Sequence, residues 1–429
     1  MNTEKRSLYS ELRTIYETTA ADPHTYRLAI RLADDVDGEK LRQAVDAAME
    51  RYPYFRVRLC ADENEVWFAD NPAPVPVLHT QRRITLGGEQ TSGHLLAFCY
   101  WEDWLYIDVY HGLTDGGGIA PLIKTLLYYY CSAFYGRPLS PEGVRLAGSA
   151  VSDEEWGDPA ARPIPGGDSI LVPKWDRPAF QIREGGIARP IPDSVVHNLR
   201  LSEEAFMRFN ISNDGSPATV VALFLARAID ELHRSPEDPA VIAMCVNQRK
   251  ALRAPLAHQS LVGDVRLPYS DRLRLLPFTT QATCFRGMVS LQSNEDMVLE
   301  EIREYQKLAA RLRSLDSHAR RKEECVRRME KLSGCLTATV SYVGKADLGE
   351  AEGYIREYHA LPSTALPSTH VPLTIEMSAV NGYFFLNFIQ FFRQTDYLSA
   401  FTRQLRRNGI EYELLGTGEA LYPRMEMPI

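Results

Sequence analysis

The chain has no paired cysteines, no apolar run long enough to cross a bilayer and no surplus of positive charge. Its seven cysteines (60, 99, 131, 245, 284, 325 and 335) are odd in number, scattered and never spaced as CxxC. That pattern argues against a disulfide framework and predicts buried free thiols in a reducing cytoplasm. A net charge of −8, from 48 Lys and Arg against 56 Asp and Glu, argues against a nucleic-acid or anionic-membrane partner. It leaves room for a local basic channel that takes a phosphate-bearing cofactor. The start, MNTEKRSLYSELRTIYE, lacks the apolar core of a secretory signal. With no bilayer-length run either, the expectation is a cytoplasmic protein without an integral membrane segment.

Several motifs are missing as well. There is no GxSxG elbow, which disfavours an α/β-hydrolase. Neither GxxxxGK[ST] nor GxGxxG occurs, so the glycine triplet at 116 to 118 makes a poor phosphate loop. HExxH, a paired Cys cluster and a His-rich tract are all absent, so no metal site is expected.

What is present reads as α/β. At 429 residues, 45% apolar and 24% charged, the chain is long enough for two or three domains with sizeable cores. Residues 25 to 33 alternate as a strand. Asp37 can cap a helix beginning near Glu39, with Leu41, Ala44, Val45, Ala48 and Met49 on one face and Pro53 as its stop. Residues 54 to 60 and 65 to 69 return to strand patterning, and 94 to 101 and 104 to 110 make two further strands. A long helix follows, with Pro121 suited to its first turn, an apolar stripe from Ile119 to Phe134, and Gly136 at its end. From 138 to 195 proline and glycine are dense and periodicity is lost, as in a long crossover.

The second half predicts a buried helix from Pro217, capped by Ser216, to about His233. A strand follows at 241 to 246, then two charged helices over 294 to 332 that meet near Ser314 to Ser317 with their charges in solvent. Further strands lie at 335 to 342 and in a hairpin over 371 to 393 turning at Asn381-Gly382. A helix from 396 to 407 and a strand at 410 to 415 end the chain.

The most specific chemical signal is residues 110 to 118, Tyr-His-Gly-Leu-Thr-Asp-Gly-Gly-Gly. Of ten histidines, only His111 has an aspartate four residues on, and glycine follows that aspartate at once. A neutral imidazole titrates near working pH and can take a proton from a hydroxyl or amine, making it nucleophilic toward an activated acyl group. No Ser or Cys nucleophile is then required. Asp115 can orient the imidazole directly, or point away and pair with an arginine to hold the turn; the second is favoured. The glycines permit close backbone packing and positive φ, and leave room for a substrate. His258, His318, His359 and His370 have no motif around them, and the Tyr128-Tyr129-Tyr130 run reads as a partly buried helix face.

This stretch resembles the HHxxxDG motif of the chloramphenicol acetyltransferase-like superfamily. That group includes condensation domains, polyketide-associated acyltransferases, alcohol acetyltransferases and the plant BAHD enzymes. Residues 41 to 59, with Arg51-Tyr52-Pro53-Tyr54-Phe55-Arg56-Val57-Arg58, are similar to the segment preceding that motif. Val246-Asn247-Gln248-Arg249 is similar to its VNxR strand end, and Val340 to Lys345 to its late xSxxG strand. The resemblance implies a mixed α/β (α+β) fold of two lobes with an active-site tunnel between them. We place an N-terminal lobe at 1–165, a crossover linker at 166–195 and a C-terminal lobe at 196–429.

The resemblance also implies roles. His111 is the general base, Asp115 and Gly116 support the site, and Asn247 and Ser341 are candidate oxyanion or substrate contacts. Tyr110 stands where condensation domains have a first histidine, and the plant DFGWG signature is absent; both departures narrow the choice. The implied activity is acyl transfer from an acyl thioester to a small-molecule alcohol or amine, with no permanently bound cofactor. Acyl-CoA is the favoured donor, because no carrier domain is attached. The alternatives are a donor on a carrier protein and an inert condensation-like binding module.

Overall fold

The computed structural model describes residues 11–20, 22–164, 171–182, 187–233, 237–363 and 371–429. Two large mixed sheets organise them. In the first, β1 (Thr25–Leu32) lies antiparallel between β7 (Trp104–Tyr110) and β12 (Ile355–Pro362), and β6 (Leu96–Trp101) and β4 (Val77–His79) extend the far side. Leu28, Ile30, Leu105 and Ile107 project from it into a core shared with Leu41 and Val45 of the helix Gly38–Arg51 and Ile119, Leu122 and Leu126 of the helix Gly116–Phe134. The predicted cap holds: Asp37 accepts the amides of Glu39 and Lys40.

The second sheet has seven strands in the order β10 (Val262–Tyr269), β9 (Ala240–Asn247), β11 (Ala338–Lys345), β13 (Leu373–Val380), β14 (Tyr383–Phe392), β8 (Pro190–Ser202), β15 (Glu413–Glu419). The strands β9, β11 and β13 run parallel, and the other pairings are antiparallel. One face packs Met244, Val340, Ile375 and Met377 against Val221, Phe224 and Leu225 of the helix Pro217–Leu232. That helix is apolar on nearly every side because sheet and neighbouring helices enclose it. The hairpin turns at Asn381 and Gly382, both at positive φ (49° and 80°), as a two-residue turn of this kind demands. No described helix is long and apolar enough to cross a membrane.

Several sequence expectations need correcting. Residues 54 to 60 do not begin as a strand: Pro53–Phe55 forms a 3-10 turn and the strand is Val57–Ala61, since proline fixes a turn-like φ at that corner. Pro121 sits inside its helix rather than in the first turn, because Asp115 caps the chain early and starts the helix at Gly116. Gly116, Gly117 and Gly118 are helical, and none has positive φ.

Chain order and sheet membership also diverge. β8 begins at Pro190, within the stretch expected to be linker, and β12, from the C-terminal part, completes the first sheet. Cys99, Cys131 and Cys325 are buried, but Cys60, Cys245, Cys284 and Cys335 are half-buried; all seven are free thiols. The charged pair of helices, Glu295–Arg313 and His318–Ser333, is not purely a solvated face. Arg321 is buried and donates to the carbonyls of Leu312 and Leu315. His370 lies outside the described residues.

Candidate active site

His111 follows directly on β7, whose buried end is held down by ion pairing. Asp108 takes Nε and Nη2 of Arg27 on the adjacent β1, at 2.7 and 2.8 Å. The His111 amide donates to the His24 carbonyl at 2.7 Å, continuing the strand pairing one residue further. Its ring meets Tyr26 edge-on, with centroids 5.3 Å apart, and its Nδ1 lies 3.3 Å from Ser260 Oγ, a residue of the second half of the chain. Burial lowers the His111 pKa; the nearby Asp115 charge and its own backbone carbonyl oppose that shift without reversing it. The imidazole is therefore neutral at pH 7, the form able to accept a proton.

Asp115 serves a different purpose. It caps the helix Gly116–Phe134 by accepting the Gly118 amide at 2.8 Å. Its two oxygens also receive Arg249 Nη2 and Nη1, at 2.7 and 3.0 Å, and the Leu261 amide at 2.8 Å. Arg249, just past β9, donates further to the carbonyls of Ala257 and Gln259. Asp115 thus points away from the imidazole and fixes the loop 257–261, which carries Ser260 to His111. An Asp–Arg pair this buried is costly to break, because either partner alone leaves an uncompensated charge.

The glycines let the two halves approach. A Cβ on Gly118 would lie 2.1 Å from the His258 carbonyl oxygen, and one on Gly117 would lie 2.8 Å from Arg249 Nη1. Thr114 Oγ1 donates to the same His258 carbonyl at 2.5 Å. The His258 ring stacks on Tyr54 and its Nδ1 pairs with the Glu155 carbonyl at 2.7 Å. That histidine is a fastener. Glu155 is itself locked by Arg51 and Arg145, which pull its pKa down to about 2 against the effect of burial.

The two remaining sequence candidates lie apart. Asn247 is exposed at the end of β9; its Oδ1 accepts the Arg249 amide at 3.0 Å, and its Nδ2 faces Gly117. Ser341, on β11, donates to Glu376 Oε1 at 2.8 Å. Sequence reasoning missed Tyr26, Ser260 and Glu376. None carries a local motif, and they meet only through the fold. Behind Ser260 is a cavity of about 30 Å³, lined also by Arg13, Gln248 and Tyr305, with room for one or two waters. Arg13 and Tyr305, bonded at 3.1 Å, separate it from a groove of about 680 Å³ that reaches Lys174 and Asp264.

No family model matches the chain, and no curated protein matches it. Solved structures do. Polyketide synthase associated protein 5 from Mycobacterium tuberculosis is 15% identical, with a TM-score of 0.59, covering 94% of this chain and 96% of its own. TRI101 of F. sporotrichioides, solved with coenzyme A and T-2, is 10% identical, with a TM-score of 0.57, covering 94% and 98%. The first condensation domain of the CDA synthetase is 15% identical, with a TM-score of 0.57, covering 95% and 96%. The fold of this chain is therefore the two-lobed α/β fold shared by condensation domains and chloramphenicol acetyltransferase-like acyltransferases.

Proposed function

We propose that the protein is an acyltransferase that moves an acyl group from an acyl thioester, acyl-CoA being the favoured donor, to a hydroxyl or amine acceptor. The observation that carries this reading is a half-buried, desolvated and neutral His111 at a strand end. It faces Ser260, on a loop clamped by the Asp115–Arg249 pair. We divide the chain into an N-terminal lobe (1–165), a crossover (166–195) and a C-terminal lobe (196–429), with β12 returning to the first sheet.

In the proposed step the acceptor's O–H or N–H gives its proton to His111 as its heavy atom attacks the thioester carbonyl. A tetrahedral intermediate forms, the C–S bond breaks, and His111 returns the proton to the leaving thiolate. Oxyanion stabilisation needs donors aimed at the developing charge. Asn247, whose Oδ1 is engaged while its Nδ2 is turned to the helix start, is our first candidate; Ser341 is the second. Gly116 and Asp115 position rather than react. A donor as large as CoA does not fit a 30 Å³ cavity, so the Arg13–Tyr305 contact has to part, or the donor has to enter elsewhere.

The test is thiol release from a panel of acyl-CoAs with mixed alcohol and amine acceptors, for the wild-type chain and His111→Ala. Loss of about 10²–10⁴ in rate is expected. A variant as active as wild type would sink the mechanism. Transfer from an acylated carrier protein, with none from free CoA, would move the donor assignment to the carrier.

A further inference from the structure

A polar row crosses the second sheet on the face opposite its apolar core. Asp264 of β10 pairs with Cys245 of β9, and Ser341 of β11 reaches the Cys245 thiol one step beyond the Val340–Met244 pair. Ser341 then pairs with Glu376 of β13, Glu376 with Asn387 of β14, and Asn387 with Asn198 of β8. This face meets the first lobe. Ser378, two residues along from Glu376, donates to the Tyr358 carbonyl, and Asn387 bonds His359 Nδ1 at 2.8 Å and the Ala360 amide at 3.3 Å, all on β12. Tyr358 in turn lies in the electrostatic field of Tyr26, the residue packed against His111.

Glu376 is the exception within this row. It is 5% exposed, and its one hydrogen-bond partner among the described residues is the Ser341 hydroxyl. Three other buried carboxylates carry a guanidinium: Asp108 has Arg27, Asp115 has Arg249 and Glu155 has Arg51; Glu11, at the start of the first helix, has none among the described residues. Asp264 at the row's end is paired with Arg266, and Glu357, on the facing β12, is paired with Arg31 and His359. The row itself holds no lysine, arginine or histidine. Burial, with no counter-ion among the described residues, pushes the Glu376 carboxyl up to about 8, so it is poised to ionise as soon as a cation arrives. In its ionised form a buried carboxylate with no counter-ion is among the costliest groups to keep in a fold, so it stays protonated until a cation pairs with it. A ligand cation would complete it.

We infer that Glu376 is the acceptor-recognition residue, pairing with a protonated amine on the acceptor at a point separate from the nucleophile that His111 deprotonates. The inference rests on the acyl-transfer reading of His111. The acceptor class is then an amino alcohol or a diamine: one group to acylate and one cation to hold. Ser341 acts on this site through Glu376, as a positioning residue.

The test compares 6-amino-1-hexanol with 1,6-hexanediol as ligands of the full chain, by calorimetry and by acetyl-CoA turnover. The wild-type chain is expected to prefer the amine about ten-fold or more, as removal of one partner of a buried charge pair would require. Glu376→Gln should abolish the preference, so that the two probes bind and turn over alike, while His111→Ala should keep the preference without turnover. Equal binding of the two probes, binding of neither, or a preference that survives Glu376→Gln would overturn the inference. If Glu376→Gln does not fold, Glu376→Asp, which keeps the charge but shortens its reach, should narrow the preference; an unchanged preference then overturns it. Turnover by His111→Ala at the wild-type rate would instead overturn the acyl-transfer reading and leave the amine preference to stand or fall separately.

Discussion

Asp115 receives both terminal nitrogens of Arg249, at 2.7 and 3.0 Å, across 134 residues of sequence. The imidazole four residues before it takes no part in that pair. An apparent His–Asp dyad is thus divided: the His111 ring takes no part in the pair, and Asp115 ties its helix start to the strand end and loop that carry Arg249 and Leu261.

Arg249→Ala should therefore act first on stability. Leaving the Asp115 charge buried and alone costs on the order of 3–5 kcal/mol. Denaturant unfolding checks this, with Arg249→Lys falling in between because one point charge replaces a bidentate fork. A loss below about 1 kcal/mol for Arg249→Ala would contradict the clamp.

Gly118→Ala should cost about 1–3 kcal/mol, since its Cβ would lie 2.1 Å from the His258 carbonyl oxygen. Gly287, within the helix Phe278–Gln292, meets nothing within 4 Å, so Gly287→Ala should stabilise by up to about 1 kcal/mol. Thermal melts of the two variants should move in opposite directions.

The His111 pKa is lowered by burial, so the acid limb of the rate profile should lie below the ordinary 6.5. For the same reason folding stability should fall as pH drops from 6.5 toward the folded-state value, because the unfolded chain binds the proton more readily there. Comparing His111→Gln with wild type across pH 4 to 8 isolates this slope; identical slopes would count against a desolvated neutral imidazole.

Glu376 titrates in the opposite sense. Its folded-state value, about 8, lies above the ordinary 4.5, so the folded chain holds the proton more tightly across that interval. The stability it contributes is fully present below 4.5 and is lost as pH rises through about 8. Glu376→Gln should flatten that decline, as read from melting temperatures at pH 5, 7 and 8.5.

Much of the local structure in both halves was legible along the chain. The strand at 25 to 32, the Asp37 cap, the long helix ended by Gly136 and the Asn381-Gly382 hairpin all follow from periodicity and turn chemistry within a few residues. The strands β8, β10 and β12 were not read. β8 opens on prolines that look like loop, and β12 takes its place by pairing with β1, more than 320 residues earlier.

The sequence by itself determined the motif: a histidine at a strand end, an aspartate four residues on, and three glycines opening a helix. Those features depend on local spacing, and local spacing survives in one dimension. Only the tertiary structure decided what each one touches. Arg249 claims Asp115, the His258 carbonyl occupies the space over Gly118, Ser260 faces His111, and Glu376 meets the Ser341 hydroxyl but no cation among the described residues. Burial and ion pairing depend on which distant segments meet, and long-range pairing of two lobes leaves no periodic trace in the residues that make it.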